Sequence, residues 1–195
     1  IIAGCHVAEL RDYPHTNGLD DGLFVALFSS SYPESRGVAD WVICVDTDEF
    51  IYHPDILGTL AQAKANGHRV LRTTGLSMLS DHLPTTGGQI YDELIEGVGA
   101  HRFDKPCVIQ PHVNVTWHTG RHGIKQAERV GRNTVGLKLL HYRHLGIPYI
   151  EARMARNAQR YGPTENQETM RARWVREATE YYVTRWPKRT DVVHG

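Results

Sequence analysis

The decapeptide Trp41-Val-Ile-Cys-Val-Asp46-Thr-Asp48-Glu49-Phe50 constrains the chain more than any other stretch. Its run of apolar residues reads as a strand buried on both faces, in a parallel or mixed sheet with helices on either side. The run stops at three carboxylates within four positions. Carboxylates at the C-terminal end of a buried strand lie at the edge where open α/β sheets bind ligands. Charges so close repel one another. A divalent cation that favours hard oxygen ligands, Mg2+ or Mn2+, relieves that repulsion. A solvated acidic loop after a core strand shows the same pattern, so both readings stand on the spacing alone.

At 195 residues the chain fits a single domain, 1–195, with a sizeable core. The formal net charge is zero, so no global field points to nucleic acid or to a membrane surface. Charge is unevenly spread, however. Residues 1–60 hold ten acids and two bases, Arg11 and Arg36, whereas residues 151–195 hold nine bases and six acids. The basic end reads as a solvated helix face, or as a basic flap near an anionic ligand. Cys5, Cys44 and Cys107 are far apart and odd in number, which excludes zinc spacing and argues against a disulfide framework. A reducing, cytoplasmic setting is the expectation. No apolar run approaches the length of a membrane span, and no signal peptide is visible. The chain starts at Ile1 without Met and reads as a fragment of something longer.

Local patterns give an alternating order of helices and strands. Residues 1–10 suggest the tail of a strand, and His15 to Gly22 a polar turn. Asp20 or Asp21 caps a helix over about 22–31, with Leu23, Ala26 and Leu27 on its core face. Pro54 opens a helix over about 55–65, with Ile56, Leu57, Leu60 and Ala61 inward and Asn66-Gly67 as a left-handed cap. Arg69 to Thr73 is the next strand, so the acid cluster sits in what resembles a right-handed βαβ unit. From Gly75 to Asp104 glycines and Pro84 break the pattern into an irregular stretch. Cys107–Gln110, Val113–His118 and Val135–Tyr142 read as strands, the last ending in His141. Thr119 to Gly123 is a glycine-flanked loop that exposes Arg121 and His122, and Arg129 to Asn133 is a polar turn. A helix from Pro148 to about Tyr161 follows, and Thr164-Glu-Asn-Gln167 is a capping box for a last helix. Its stripe of Met170, Trp174, Val175, Ala178 and Tyr181 reads as core packing. Residues 148–195 are thus a C-terminal helical extension of the same domain.

These residues also carry a family likeness. The stretch Ala39 to Pro54 resembles the Asp-x-Asp-Glu-Phe motif of family-2-like glycosyltransferases with a GT-A fold. Leu83-Pro-Thr-Thr-Gly-Gly-Gln-Ile-Tyr-Asp-Glu93, Asp104-Lys-Pro106, Gly120-Arg-His122 and Leu139-Leu-His-Tyr142 resemble one bacterial branch of that group. The likeness covers roughly residues 20–165, and the order and spacing of the motifs make it more specific than any one of them. It implies an α/β, GT-A-like (Rossmann-like) mixed sheet flanked by helices. It also implies a nucleotide-sugar donor held through its diphosphate by Mn2+ or Mg2+, with the metal as Lewis acid on the leaving group.

By the same likeness Asp48 is the leading metal ligand, with Asp46 on the metal or on the nucleotide ribose. Glu49 either supports the site from behind or starts a helix. His141 completes the metal site or is an ordinary core histidine, and His122 binds the diphosphate or the acceptor, or rivals His141 for the metal. Lys105 and Arg121 neutralise phosphate or are surface charges. An inverting transfer needs a general base, for which Asp92 and Glu93 come first and Asp81 is the reserve. The acceptor (glycan, lipid-linked or protein) is not readable. The family pattern also begins with a base-binding strand upstream of anything in this chain.

Two other readings remain. A haloacid-dehalogenase-like phosphatase also places Asp-x-Asp after an apolar strand, but wants Thr or Val where Phe50 stands, together with a downstream Lys and an acidic pair. An inactive transferase-like domain would bind a glycan or a partner protein only.

Overall fold

The computed structural model describes residues 20–125, 130–131, 135–160 and 167–195. Among these the chain is mixed α/β, with two sheets and five α-helices. Its elements run α1 (Asp21–Ser31), β1 (Val42–Ile43), β2 (Glu49–Tyr52), α2 (Ile56–Ala65), β3 (Val70–Arg72), β4 (Thr74–Ser80), α3 (Ile90–Glu93), β5 (Glu96–Gly99), β6 (Pro106–Ile109), β7 (Val130–Gly131), β8 (Lys138–Leu145), α4 (Ile147–Arg160), α5 (Gln167–Arg185) and β9 (Thr190–Asp191). One sheet has the order β1-β6-β3-β7 and the other β2-β8-β4-β5-β9. No helix among the described residues is long and apolar enough to cross a membrane.

The chain forms two compact units. The first holds Asp21–Ser77 and Gly99–Tyr142, and the second includes Met78–Val98 and Arg143–Gly195. In the first, β6 runs antiparallel to both β1 and β3, while β3 pairs in parallel with β7. Consecutive strand residues point to opposite faces, and β3 shows it. Val70 packs with Tyr32, Val113, Val115 and Trp117 beneath Val25 and Phe28 of α1. Leu71 packs with Ala63, Val108 and Leu139 beside Ile56 and Leu60 of α2. This sheet is therefore covered by a helix on each face. In the second unit, Leu79 and Val98 pack with Ile150 and Met154 of α4 and Ala178 and Tyr182 of α5, against Trp174, Val175 and Trp186. There β5 pairs antiparallel with β9.

Several sequence expectations change. The Trp41 to Val45 run is not a strand buried on both faces: β1 is two residues long, at a sheet edge, with Ile43 41% exposed. Its helix neighbours keep their extent but turn. In α1 the inward residues are Val25 and Phe28, and Ala26 is exposed. In α2 they are Ile56, Leu60 and Ala63, while Leu57 is 80% exposed. The Asn66-Gly67 cap holds, with Gly67 at φ +76, Gly67 N–H on the Lys64 carbonyl and His68 N–H on that of Ala63.

The stretch from Gly75 to Asp104 is not irregular, since β4, α3 and β5 lie within it. β4 has no alternation to read, because Gly75 to Ser80 are buried at every position. Gly75 is required by close approach: a Cβ there would stand 2.5 Å from the Phe103 carbonyl carbon. Val113 to His118 alternates as a strand would, yet pairs with other backbone as a strand only through a single bridge, Trp117 with Ile124. Tyr32 takes the partner's place, its hydroxyl donating to Val113 O at 2.6 Å and accepting from Val115 N at 2.7 Å. Finally β8 continues to Leu145, so His141 lies inside the strand rather than at its end. The expected strand at 1–10, the turn at 15–19, most of the turn at 129–133, the Thr164 capping box and the Met170 side chain lie outside the described residues.

Candidate functional site

The acid cluster sits in the tight connection between β1 and β2, within the first unit. Glu49 N–H donates to the Asp46 carbonyl at 3.0 Å, and Asp46 N–H donates back to Glu49 Oε2 at 3.1 Å. This reciprocal pair closes the Asp46–Glu49 turn and makes Glu49 the first residue of a strand, not of a helix. The strand then pairs with β8 in a register that sets Glu49 opposite His141. Tyr142 N–H donates to the Asp48 carbonyl at 2.9 Å, fixing the turn to β8 from the other side.

The sequence reading called for a divalent cation to relieve the carboxylates; side chains do much of that work here. Lys105 Nζ donates to Asp46 Oδ2 at 2.9 Å and to Glu49 Oε1 at 2.5 Å. Arg121 donates through Nη2 to Asp46 Oδ1 and through Nη1 to the Cys44 carbonyl at 3.1 Å. Glu49, Lys105 and Arg121 are buried, while the Asp46 side chain keeps 34% of its exposure. Two acids and two bases form a neutral network, which suits its burial. Neither Lys105 nor Arg121 is therefore a surface charge. Arg121 in particular is not exposed by its glycine-flanked loop. It lies under α1, with its guanidinium carbon 3.9 Å from the Phe28 ring centroid and 5.6 Å from that of Phe24.

The third carboxylate is matched differently. Asp48 Oδ2 stands 3.1 Å from His141 Nε2, and both side chains are largely buried. The edge of the Phe103–His141 ring pair, with centroids 4.4 Å apart and planes at 80°, braces the imidazole. His141 Nδ1 is buried and has no hydrogen-bond partner. His122 lies at an exposed turn, with its ring partly desolvated; that desolvation and then the Lys105 ammonium hold the imidazole below its usual range.

Among the described residues no group of three or more His, Cys, Asp or Glu side chains is arranged to hold a metal ion. Asp46, expected as a ligand, has both oxygens engaged by cations. Asp48 and His141 do fit a two-donor site. Mg2+ takes one or two carboxylates, here Asp48, and completes its shell with phosphate oxygens and water, and adjacent ligands about 2.1 Å from the ion stand about 3 Å apart. The observed 3.1 Å matches that edge.

No family model, curated protein or solved structure matches the chain. The site therefore has to be read from its own chemistry.

Asp92 and Glu93, expected as general bases, belong to the second unit, on the one-turn helix α3. Glu93 has another employment. Its Oε1 accepts from the backbone and hydroxyl of Thr85 at 2.7 and 2.9 Å, and its Oε2 from those of Thr86 at 2.9 and 2.8 Å. These four donors, the Thr86 amide foremost, lower its pKa to about 2. Asp81 is likewise drawn down, chiefly by its 2.6 Å contact with His82 Nδ1. Asp92 is exposed.

Sequence reasoning missed Phe103, Phe28 and the Cys44 carbonyl. No motif marks an aromatic brace or a backbone acceptor. It named Lys105 and Arg121 without their role, because partners 59 and 75 residues away are fixed only by the fold.

Proposed function

We propose that the protein is a metal-dependent glycosyltransferase that moves a sugar from a nucleotide-sugar donor to an acceptor hydroxyl, with a GT-A-like arrangement around the acid turn. The observation that carries this reading is the Asp48–His141 pair. It is a carboxylate and an imidazole at 3.1 Å, beside a network that has already neutralised Asp46 and Glu49. Such a pair, a carboxylate beside an imidazole, suits a divalent ion whose remaining ligands come from a diphosphate. When bound, the ion withdraws charge from the leaving diphosphate. Asp46, half-open and gripped by two cations, is left to accept hydrogen bonds from donor hydroxyls rather than to hold the metal. Glu93, at about 2, is too weak a base near neutrality to deprotonate an acceptor hydroxyl.

One contact favours the phosphatase alternative: Lys105 reaches Asp46, as that reading asks of a downstream lysine. Arg121 holds the other oxygen of the same carboxylate, however, so neither oxygen is at liberty to attack phosphorus.

The test is thermal unfolding with Mn2+ or Mg2+ and UDP-, GDP- and dTDP-sugars. A ligand at a hundred times its Kd stabilises by about 2.7 kcal/mol, a rise of about 5–10 °C for a chain of this size. We expect that rise with one nucleotide class, only when metal is present, and its loss in Asp48→Ala and His141→Ala. A metal-independent rise, or none with any sugar nucleotide, refutes the proposal, and phosphate release from a generic ester transfers support to the phosphatase.

A further inference from the structure

Arg121 has the marks of a residue placed for more than packing. Its backbone has φ +59, and it is the one non-glycine residue in the left-handed region among those described. Non-glycine residues enter that region at an energetic cost and are found there where surrounding structure imposes it. Here the preceding Gly120 is also left-handed, at φ +75, and the Arg121 amide donates to the His118 carbonyl at 2.9 Å. The strained turn delivers the guanidinium to a buried position between the aromatic face of α1 and the end of β1.

There it makes two contacts at once, to the Cys44 carbonyl and to Asp46 Oδ1. Lys105 takes only the opposite oxygen, Oδ2. Two cations on the two oxygens leave the Asp46 carboxyl plane no rotation. The same residue anchors the turn through its backbone carbonyl and amide, both bonded to Glu49. Arg121 touches neither Asp48 nor His141 in these contacts.

We propose that Arg121 is a positioning residue: by fixing Asp46 it sets the Asp46–Glu49 turn in the geometry that binds the sugar nucleotide. The inference rests on the transferase reading for the ligand, but not for the mechanical claim about the turn. A guanidinium spans two acceptors in a fixed plane and stacks on an aromatic ring, and an ammonium does neither. Arg121→Lys therefore keeps the charge and removes the positioning.

The experiment compares wild type, Arg121→Lys, Asp46→Asn and the double variant by amide hydrogen exchange and by binding of the sugar nucleotide with Mn2+. Arg121→Lys is expected to speed exchange at the Asp46 and Glu49 amides about tenfold or more, with the β3 and β6 amides unchanged, and to weaken binding about tenfold. In the Asp46→Asn background the lysine change is expected to add less than it costs alone, because the residue it acts through is already altered. Unchanged exchange at the turn overturns the proposal, and so does exchange that rises everywhere alike, which marks a purely structural role. Additive losses in the double variant overturn it as well. Should wild type bind no sugar nucleotide, the transferase reading fails, and the exchange comparison still decides whether Arg121 fixes the turn.

Discussion

Lys105 is held in an environment that leaves it little freedom. Its ammonium is nearly inaccessible and shared between Asp46 and the fully buried Glu49. Removing one member of such a network strands the opposite charge, which costs about 3–5 kcal/mol. Lys105→Met should therefore lower the unfolding free energy measured by urea titration by that much, and Glu49→Gln in the same chain should recover part of the loss. A midpoint unchanged by Lys105→Met would mean that the carboxylates find another counter-charge. Glu93 gives a prediction in pH. Its pKa falls from 4.5 unfolded to about 2 folded, so its clamp on Thr85 and Thr86 contributes fully above 4.5 and is lost as pH falls towards 2. Glu93→Gln should make the 83–89 segment more susceptible to proteolysis at neutral pH. The difference from wild type should shrink between pH 4.5 and 2, read with an acid-active protease. A difference that persists at pH 2 would assign the clamp to something other than the carboxylate.

At the scale of elements, what the sequence revealed and what it concealed divide by the range of the interaction. The ends of α2 were legible because the signals lie beside the helix: Pro54 marks its start, where Asp55 is the cap that accepts from Gly58 N–H, and Asn66-Gly67 closes the other end. α4 was legible through its opening Pro148, and α5 through the helical spacing of its apolar residues. β4 was not, because a strand buried at every position shows no period, and Ser77 and Ser80 interrupt its apolar character. The 113–118 segment misled in the opposite sense. Its Val113, Val115 and Trp117 alternate because they fill a core, while Val113 O and Val115 N bond a tyrosine hydroxyl in place of a strand. The candidate site was half legible. The acids and His141 announce themselves by motif, but the cations that neutralise Asp46 come from distant turns. Tyr32→Phe tests the tyrosine's role as a strand substitute. It leaves the buried Val115 amide without an acceptor, so the expected loss is about 1–3 kcal/mol. A neutral result would show that the segment needs no such partner.

At the scale of the whole molecule, the chain passes between its two units more than once, so neither is a contiguous piece of sequence. The C-terminal helices are part of a core rather than an appendage to one: Leu79 and Val98 come from the middle of the chain and are covered by Ile150, Met154, Ala178 and Tyr182. A chain ended at Leu145 should expose those two residues, bind a hydrophobic dye such as ANS and aggregate, whereas the full chain stays dye-free. A truncated chain that is monomeric and dye-free would show that the second unit's core closes without α4 and α5.

The two described cysteines supply the protein with a clock. Burial raises the Cys44 thiol to about 11 and the Cys107 thiol to about 12, and both are free and enclosed in the first unit. A thiol in that state does not react with alkylating reagents until the core around it opens. Because Cys44 lies with the α1 side of the sheet and Cys107 with the α2 side, their labelling rates time the opening of each face separately. The native chain thus carries two reporters of its own breathing, one on either face of the sheet that leads to the acid turn.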